Sequence, residues 1–113
     1  MLYVVATPIG NLGDMSPRAV ETLRGVDLIA AEDTRHTMKL LTHFDIRTAM
    51  TSLHEHNEQG KSAAIVRRMV EEGISVALVT DAGTPAVSDP GAILVREAVQ
   101  AGIEILAVPG PSA

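Results

Sequence analysis

Two short polar segments hold side chains able to move a proton or grip an anion. Glu32-Asp33-Thr34-Arg35-His36 lies between a run of apolar residues and a helical pattern. A carboxylate at Glu32 or Asp33 can accept a proton from a hydroxyl group. Asp33 or Thr34 is equally placed to cap the helix that follows. The planar guanidinium of Arg35 suits two-pronged binding of a phosphate; its plain alternative is a solvated helix face. His54-Glu55-His56-Asn57 follows another apolar run. His54 or His56 can take a proton near neutral pH, or the segment is a surface loop. His-x-His is also half of a zinc set, but the sequence has no cysteine and no evident further ligand, so no metal is expected. His43 reads as a helix-end residue.

The six prolines fall in three places, at positions 8 to 17, 85 to 90 and 109 to 111, beside Gly10, Gly13, Gly83, Gly91 and Gly110. Glycine lets backbone approach a ligand closely, and proline pre-sets turn geometry. Ordinary strand-to-helix turns share this composition, yet the clustering points to a site. Asp81 can accept from an ammonium or a ribose hydroxyl, or form a local turn. Thr84 and Ser88 offer hydroxyls, although Ser88 or Asp89 can equally cap the next helix. Gly10-Asn11-Leu12-Gly13 lacks the G-x-G-x-x-G spacing that seats a pyrophosphate. Gly60-Lys61-Ser62 ends like a phosphate loop, but Glu55 stands where its first glycine belongs, so a polar helix start is expected. A ligand without phosphates, held by backbone groups, fits these loops better.

The elements that must position these residues are legible as alternating patterns. Apolar runs at 2–7, 28–32, 48–53, 75–80 and 104–108 alternate with four helical patterns. Ile65, Val66, Met69 and Val70 share one face of a helix over 61–72, as do Leu94, Val95, Ala98 and Val99 over 91–101. Val20 and Leu23 mark the first helix; Leu40, Leu41 and Phe44 mark the second. Ser16-Pro17 reads as an N-cap followed by proline at the first helical position. Gly25, Gly73 and Gly102 stand where helices should stop. The alternation predicts an α/β fold: a three-layer domain with a mostly parallel five-stranded sheet flanked by helices. The segments named above would then gather at the carboxyl edge of the sheet, where open α/β sheets bind ligands.

Bulk properties narrow the class. A chain of 113 residues builds one domain, and a hydrophobic share of 46% suits a packed core. Tyr3 and Phe44 are the aromatics, so that core is aliphatic. Without cysteine there are no disulfides, and a reducing cytoplasm is the expected compartment. No apolar run approaches the roughly 20 residues that span a bilayer, and the N-terminus reads as a strand rather than a signal peptide. A net charge of −5 argues against a generic nucleic-acid coat but leaves room for a local basic patch. The final residues, following directly on the fifth strand, read as the doorway to a further helix.

Six motifs together carry a resemblance. They are Val5 to Leu23 with Thr7-Pro8-Ile9-Gly10-Asn11-Leu12-Gly13-Asp14 at its heart; Glu32-Asp33-Thr34-Arg35; Ser52-Leu53-His54-Glu55-His56-Asn57; Asp81-Ala82-Gly83-Thr84-Pro85; Ser88-Asp89-Pro90-Gly91; and Val108-Pro109-Gly110-Pro111-Ser112. In order and spacing the chain resembles the ribosomal RNA small subunit methyltransferase I family, of the tetrapyrrole-methylase-like superfamily. The likeness extends over essentially the whole chain. It implies transfer of a methyl group from S-adenosylmethionine (SAM) to the ribose 2′-oxygen of a cytidine in the decoding region of 16S rRNA. It also implies a homodimer of two-domain subunits with SAM between the domains, this chain being the N-terminal, SAM-binding and catalytic domain at 1–113 and lacking the C-terminal one.

Carried over by position, Pro8, Ile9, Gly10, Asn11, Leu12, Asp81, Ala82, Gly83, Thr84, Pro85, Ser88, Pro109, Gly110, Pro111 and Ser112 would line the SAM side. Glu32, Asp33, His54 and His56 would serve catalysis on the acceptor side, and Arg35 would hold RNA. Tetrapyrrole-modifying relatives tend to open with a G-x-G-P-G-D-type loop. Thr7-Pro8-Ile9-Gly10 here favours the RNA branch. The competing expectations are a SAM-dependent methyltransferase of a tetrapyrrole-like small molecule and a non-catalytic module that keeps the fold.

Overall fold

Five strands alternate with four α-helices in the computed structural model, which describes residues 1–8, 12–53, 58–81 and 89–108. The order is β1 (Leu2–Thr7), a 3-10 turn (Leu12–Asp14), α1 (Pro17–Gly25), β2 (Leu28–Ala31), α2 (Thr34–His43), β3 (Ala49–Ser52), α3 (Glu58–Glu72), β4 (Val76–Asp81), α4 (Asp89–Gln100) and β5 (Ile105–Val108). Glu32 thus lies just past β2 rather than at its end, and Asp81 closes β4 rather than following it. The third helix begins at Glu58, ahead of the expected residue 61, so Gly60, Lys61 and Ser62 sit inside it and not in a phosphate-binding loop.

The sheet order is β3-β2-β4-β1-β5, and every pairing is parallel. Side chains alternate between its two faces. Val5, Ile29, Ala31, Ala77, Val79 and Val108 meet Ala19 and Leu23 of α1 and Leu40 and Leu41 of α2. Leu2, Leu28, Ala30, Val76 and Leu78 meet Ile65, Val66 and Met69 of α3 and Leu94 and Ala98 of α4. These two apolar layers cover both faces of β2, whose four residues are all buried, as a central parallel strand requires.

Local signals explain where the helices start and stop. The Ser16 hydroxyl accepts from the Ala19 N–H at 3.1 Å, with Pro17 at the first helical position. Gly73 and Gly102 end α3 and α4 with φ of 70° and 78°, a conformation costly for any residue with a Cβ. Two core expectations fail. Val70 is 60% exposed and Val99 58% exposed. At 3.6 residues per turn, each lies about 100° from the centre of its buried stripe, which runs through Ser62, Ile65 and Met69 in α3 and through Gly91, Leu94 and Ala98 in α4. Among the described residues, no helix is long and apolar enough to cross a membrane.

Candidate active site

Because all five strands are parallel, the segments that follow them leave from one edge of the sheet. The strands leading into the three Gly/Pro segments, β4, β1 and β5, are neighbours. Thr7 pairs with Asp81, so β1 and β4 end level, while β5 ends at Val108 opposite Val5, two residues short of the end of β1. The fully buried Thr7 hydroxyl donates to the Thr80 carbonyl at 3.2 Å, which ties the ends of β1 and β4. The strands leading into Glu32 and His54, β2 and β3, form the other half of the same edge. A bond from the Leu53 N–H to the Ala31 carbonyl at 2.8 Å extends that pairing. The connections after β1 and β2 lead to helices on one face, and the connection after β4 leads to a helix on the other. Such a parting of the chain is where α/β sheets form ligand crevices.

The residues described after β2 divide by their contacts. Glu32 is half-buried, with its Oε1 shielded from solvent. Asp33 is exposed and is the N-cap of α2, its Oδ1 accepting from the His36 N–H at 3.1 Å. Asp33, not Thr34, therefore performs the capping. Arg35 is exposed in the first turn of α2. The contribution of Asp33 is separable: Asp33→Asn keeps an acceptor for the cap and should preserve both stability and activity, whereas Asp33→Ala should cost about 1 kcal/mol in chemical denaturation.

On the β4-β1-β5 half, Pro8 is buried and Leu12 half-buried against the α1/α2 core. The His36 Nε2 lies 3.2 Å from the Pro8 carbonyl. With a carbonyl as acceptor, the ring nitrogen must carry the proton and donate. This contact, which joins the helix after β2 to the segment after β1, was missed in the sequence and has no local signal there. For Asp81 the backbone is described, in register with Thr7. His54, His56, Ile9, Gly10, Asn11, Ala82, Gly83, Thr84, Pro85, Ser88, Pro109, Gly110, Pro111 and Ser112 lie outside the described residues.

The parallel sheet in the order β3-β2-β4-β1-β5 puts the strands that lead into the three Gly/Pro segments side by side. Residues 1–113 match the model of the tetrapyrrole (corrin/porphyrin) methylases, and the chain belongs to that family. In solved structures its fold is similar to that of a cobalamin biosynthetic enzyme, cobalt precorrin-4 methyltransferase. The TM-score is 0.72 at 20% identity, over 98% of this chain and 46% of that one; the likeness is one of fold.

In sequence the chain is far closer to another branch. It is 58% identical over 113 residues to the ribosomal RNA small subunit methyltransferase I of Synechocystis sp., covering 100% of this chain and 40% of that protein. It is 55% identical over 113 residues to the protein of the same name from Vibrio cholerae, covering 100% of this chain and 39% of the relative. The chain thus spans about two fifths of the length of the curated relatives it matches.

Proposed function

We propose that the full-length protein is a SAM-dependent methyltransferase acting on the ribose 2′-hydroxyl of a cytidine in the decoding region of 16S rRNA. In this reading it works on the small ribosomal subunit in the cytoplasm, as a homodimer. Residues 1–113 form the SAM-binding and catalytic domain, and a C-terminal domain completes the cleft. The observation that carries the reading is the adjacency of β4, β1 and β5, the strands that lead into the three Gly/Pro segments, at the sheet edge that also bears the acidic and basic residues after β2. The names of the relatives support the RNA branch over a tetrapyrrole acceptor.

The residues present fit such a cofactor. Gly60-Lys61-Ser62 lies within α3, so it forms no phosphate loop, in keeping with a ligand that has no phosphates. Pro8, Leu12 and Asp81, with the neighbouring Gly/Pro segments, would hold it from the β4-β1-β5 half. When bound, SAM supplies a methyl group already activated on its sulfonium. The protein's own tasks are then orientation, exclusion of water and removal of one proton. A ribose hydroxyl is a weak nucleophile at neutral pH, so a nearby proton acceptor matters. Glu32 suits that task, since its neighbour Asp33 is engaged as a helix cap; His54 and His56 remain candidates for contact with the acceptor. Arg35 would grip a phosphate of the RNA.

The test uses equilibrium binding by the full-length protein. Wild type should bind both SAM and RNA. Arg35→Ala should weaken RNA binding about tenfold and leave SAM affinity intact. Unchanged RNA affinity would remove Arg35 from the phosphate role, and absence of SAM binding by the wild type would overturn the reading as a whole.

A further inference from the structure

The helix α2 carries more positive charge than one arginine at its start. Between Thr34 and His43 it holds Arg35, His36, Lys39 and His43 and no acidic residue, in a chain where 14 Asp and Glu outnumber 9 Lys and Arg. Arg35, Lys39 and His43 recur at intervals of four, which places them one above another on one helix face. They line a groove of about 540 Å³ together with Leu12, Met38 and Thr42. Leu12 is half-buried and gives the groove an apolar floor, while Met38 stands 50% exposed at its side. Among the described residues, ion pairs form at Arg47–Asp45 and Arg68–Glu72, and none engages Arg35 or Lys39.

The groove begins at the candidate site. Its first basic residue, Arg35, lies in the turn that follows Glu32 and Asp33, and the neighbouring His36 reaches the Pro8 carbonyl. From there the helix runs back along the sheet, so the three side chains spread over about 12 Å. An acidic protein that keeps one helix free of carboxylates, with two cations and a histidine in a row and apolar surface beside them, presents a surface complementary to a polyanion with flat apolar parts. Single-stranded RNA has both: phosphates in series, and bases and ribose faces that pack on apolar side chains.

We propose that the α2 groove holds the RNA strand flanking the nucleotide to be methylated. Lys39 and His43 extend the phosphate grip of Arg35, and Met38 packs against a base or ribose. This rests on the reading of the substrate as RNA. The groove fixes which stretch of strand reaches the edge of the sheet, while residues at that edge act on the 2′-hydroxyl.

The experiment measures binding of the full-length protein to a single-stranded RNA covering the decoding region, by fluorescence anisotropy over a series of salt concentrations. Each phosphate contact contributes about 0.7 to the slope of log affinity against log salt for single strands. Lys39→Gln should therefore reduce that slope by about 0.7 and weaken binding about tenfold at low salt. Arg67→Gln removes a charge from an exposed position of α3 on the opposite face and should change neither. Four results would overturn the proposal. An unchanged slope and affinity for both Lys39→Gln and Lys39→Glu would do so while leaving the RNA reading standing. Equal losses from Lys39→Gln and Arg67→Gln would reduce the effect to general charge. Lys39 protected from amine acylation in the RNA-free protein would mean that another part of the chain, or a second copy, fills the groove. Failure of the wild type to bind RNA would sink the RNA reading itself and this inference with it.

Discussion

Glu32→Gln in the full-length protein should lower kcat for methyl transfer by about 10²–10⁴-fold, the usual contribution of a positioned proton acceptor. The glutamine keeps the size and hydrogen-bonding reach of the side chain, so what it removes is the ability to take a proton. Glu32 lies just past a strand buried on both faces, half-buried, with one carboxylate oxygen shielded from water. The adjoining carboxylate of Asp33 holds the first turn of α2 in place, and this in turn fixes where the Glu32 backbone leaves the sheet. SAM affinity should be unchanged, because the effect falls on the chemical step and not on the β4-β1-β5 half of the edge, proposed to hold SAM. Steady-state kinetics on small ribosomal subunits would read it. A rate within about tenfold of the parent would transfer the role to another group, with His54 and His56 next in line.

The second large effect concerns the platform that levels the strand ends. Leu78 is fully buried in the middle of β4, paired on one side with Val4 of β1 and on the other with Ala30 of β2. Its side chain belongs to the layer shared with α3 and α4. Truncation to alanine leaves a hole that a parallel sheet clamped by two helices closes poorly, so Leu78→Ala should cost about 2–5 kcal/mol. Against a total stability of about 5–15 kcal/mol for an ordinary domain, that is a large fraction. Val70→Ala, at a position 60% exposed, should change stability by less than about 0.5 kcal/mol. Urea unfolding midpoints would compare the two. Near-equal effects would contradict the assignment of the core to the Ile65 and Met69 side of α3.

Val70 and Val99, both exposed, show where periodicity stops being informative. Ile65, Val66, Met69 and Val70 all fall within a generous apolar arc, but the arc alone does not say where its centre meets the sheet. That is set by Ser62 and Gly91, small residues packed inward that hydropathy does not count as apolar. The strands were legible because each is a short apolar run between turn residues. Their spatial order was not: alternation dictates parallel neighbours without saying that β4 inserts between β1 and β2. The site followed the same division. The Gly/Pro segments and Glu32-Asp33-Thr34-Arg35 stood out by composition, and family resemblance supplied their chemistry. The choice of Asp33 over Thr34 as cap turns on a 3.1 Å bond, since either side chain can make it. The link from His36 to Pro8 spans 28 positions and has no local signature. The α2 groove is likewise spatial, since Leu12 joins a helix that begins at Thr34.

The central claim is methylation of ribose in small-subunit RNA, and one measurement tests it most directly. The full-length protein is given methyl-labelled SAM and three acceptors in parallel: unmodified small ribosomal subunits, naked 16S rRNA and a tetrapyrrole precursor. The RNA is then digested with alkali, which needs a free 2′-hydroxyl to cleave the adjoining phosphodiester. The account predicts label on RNA of the assembled subunit, recovered in an alkali-resistant dinucleotide that begins with cytidine. Label on the tetrapyrrole, label on RNA in alkali-sensitive form, or no label on any RNA would contradict it.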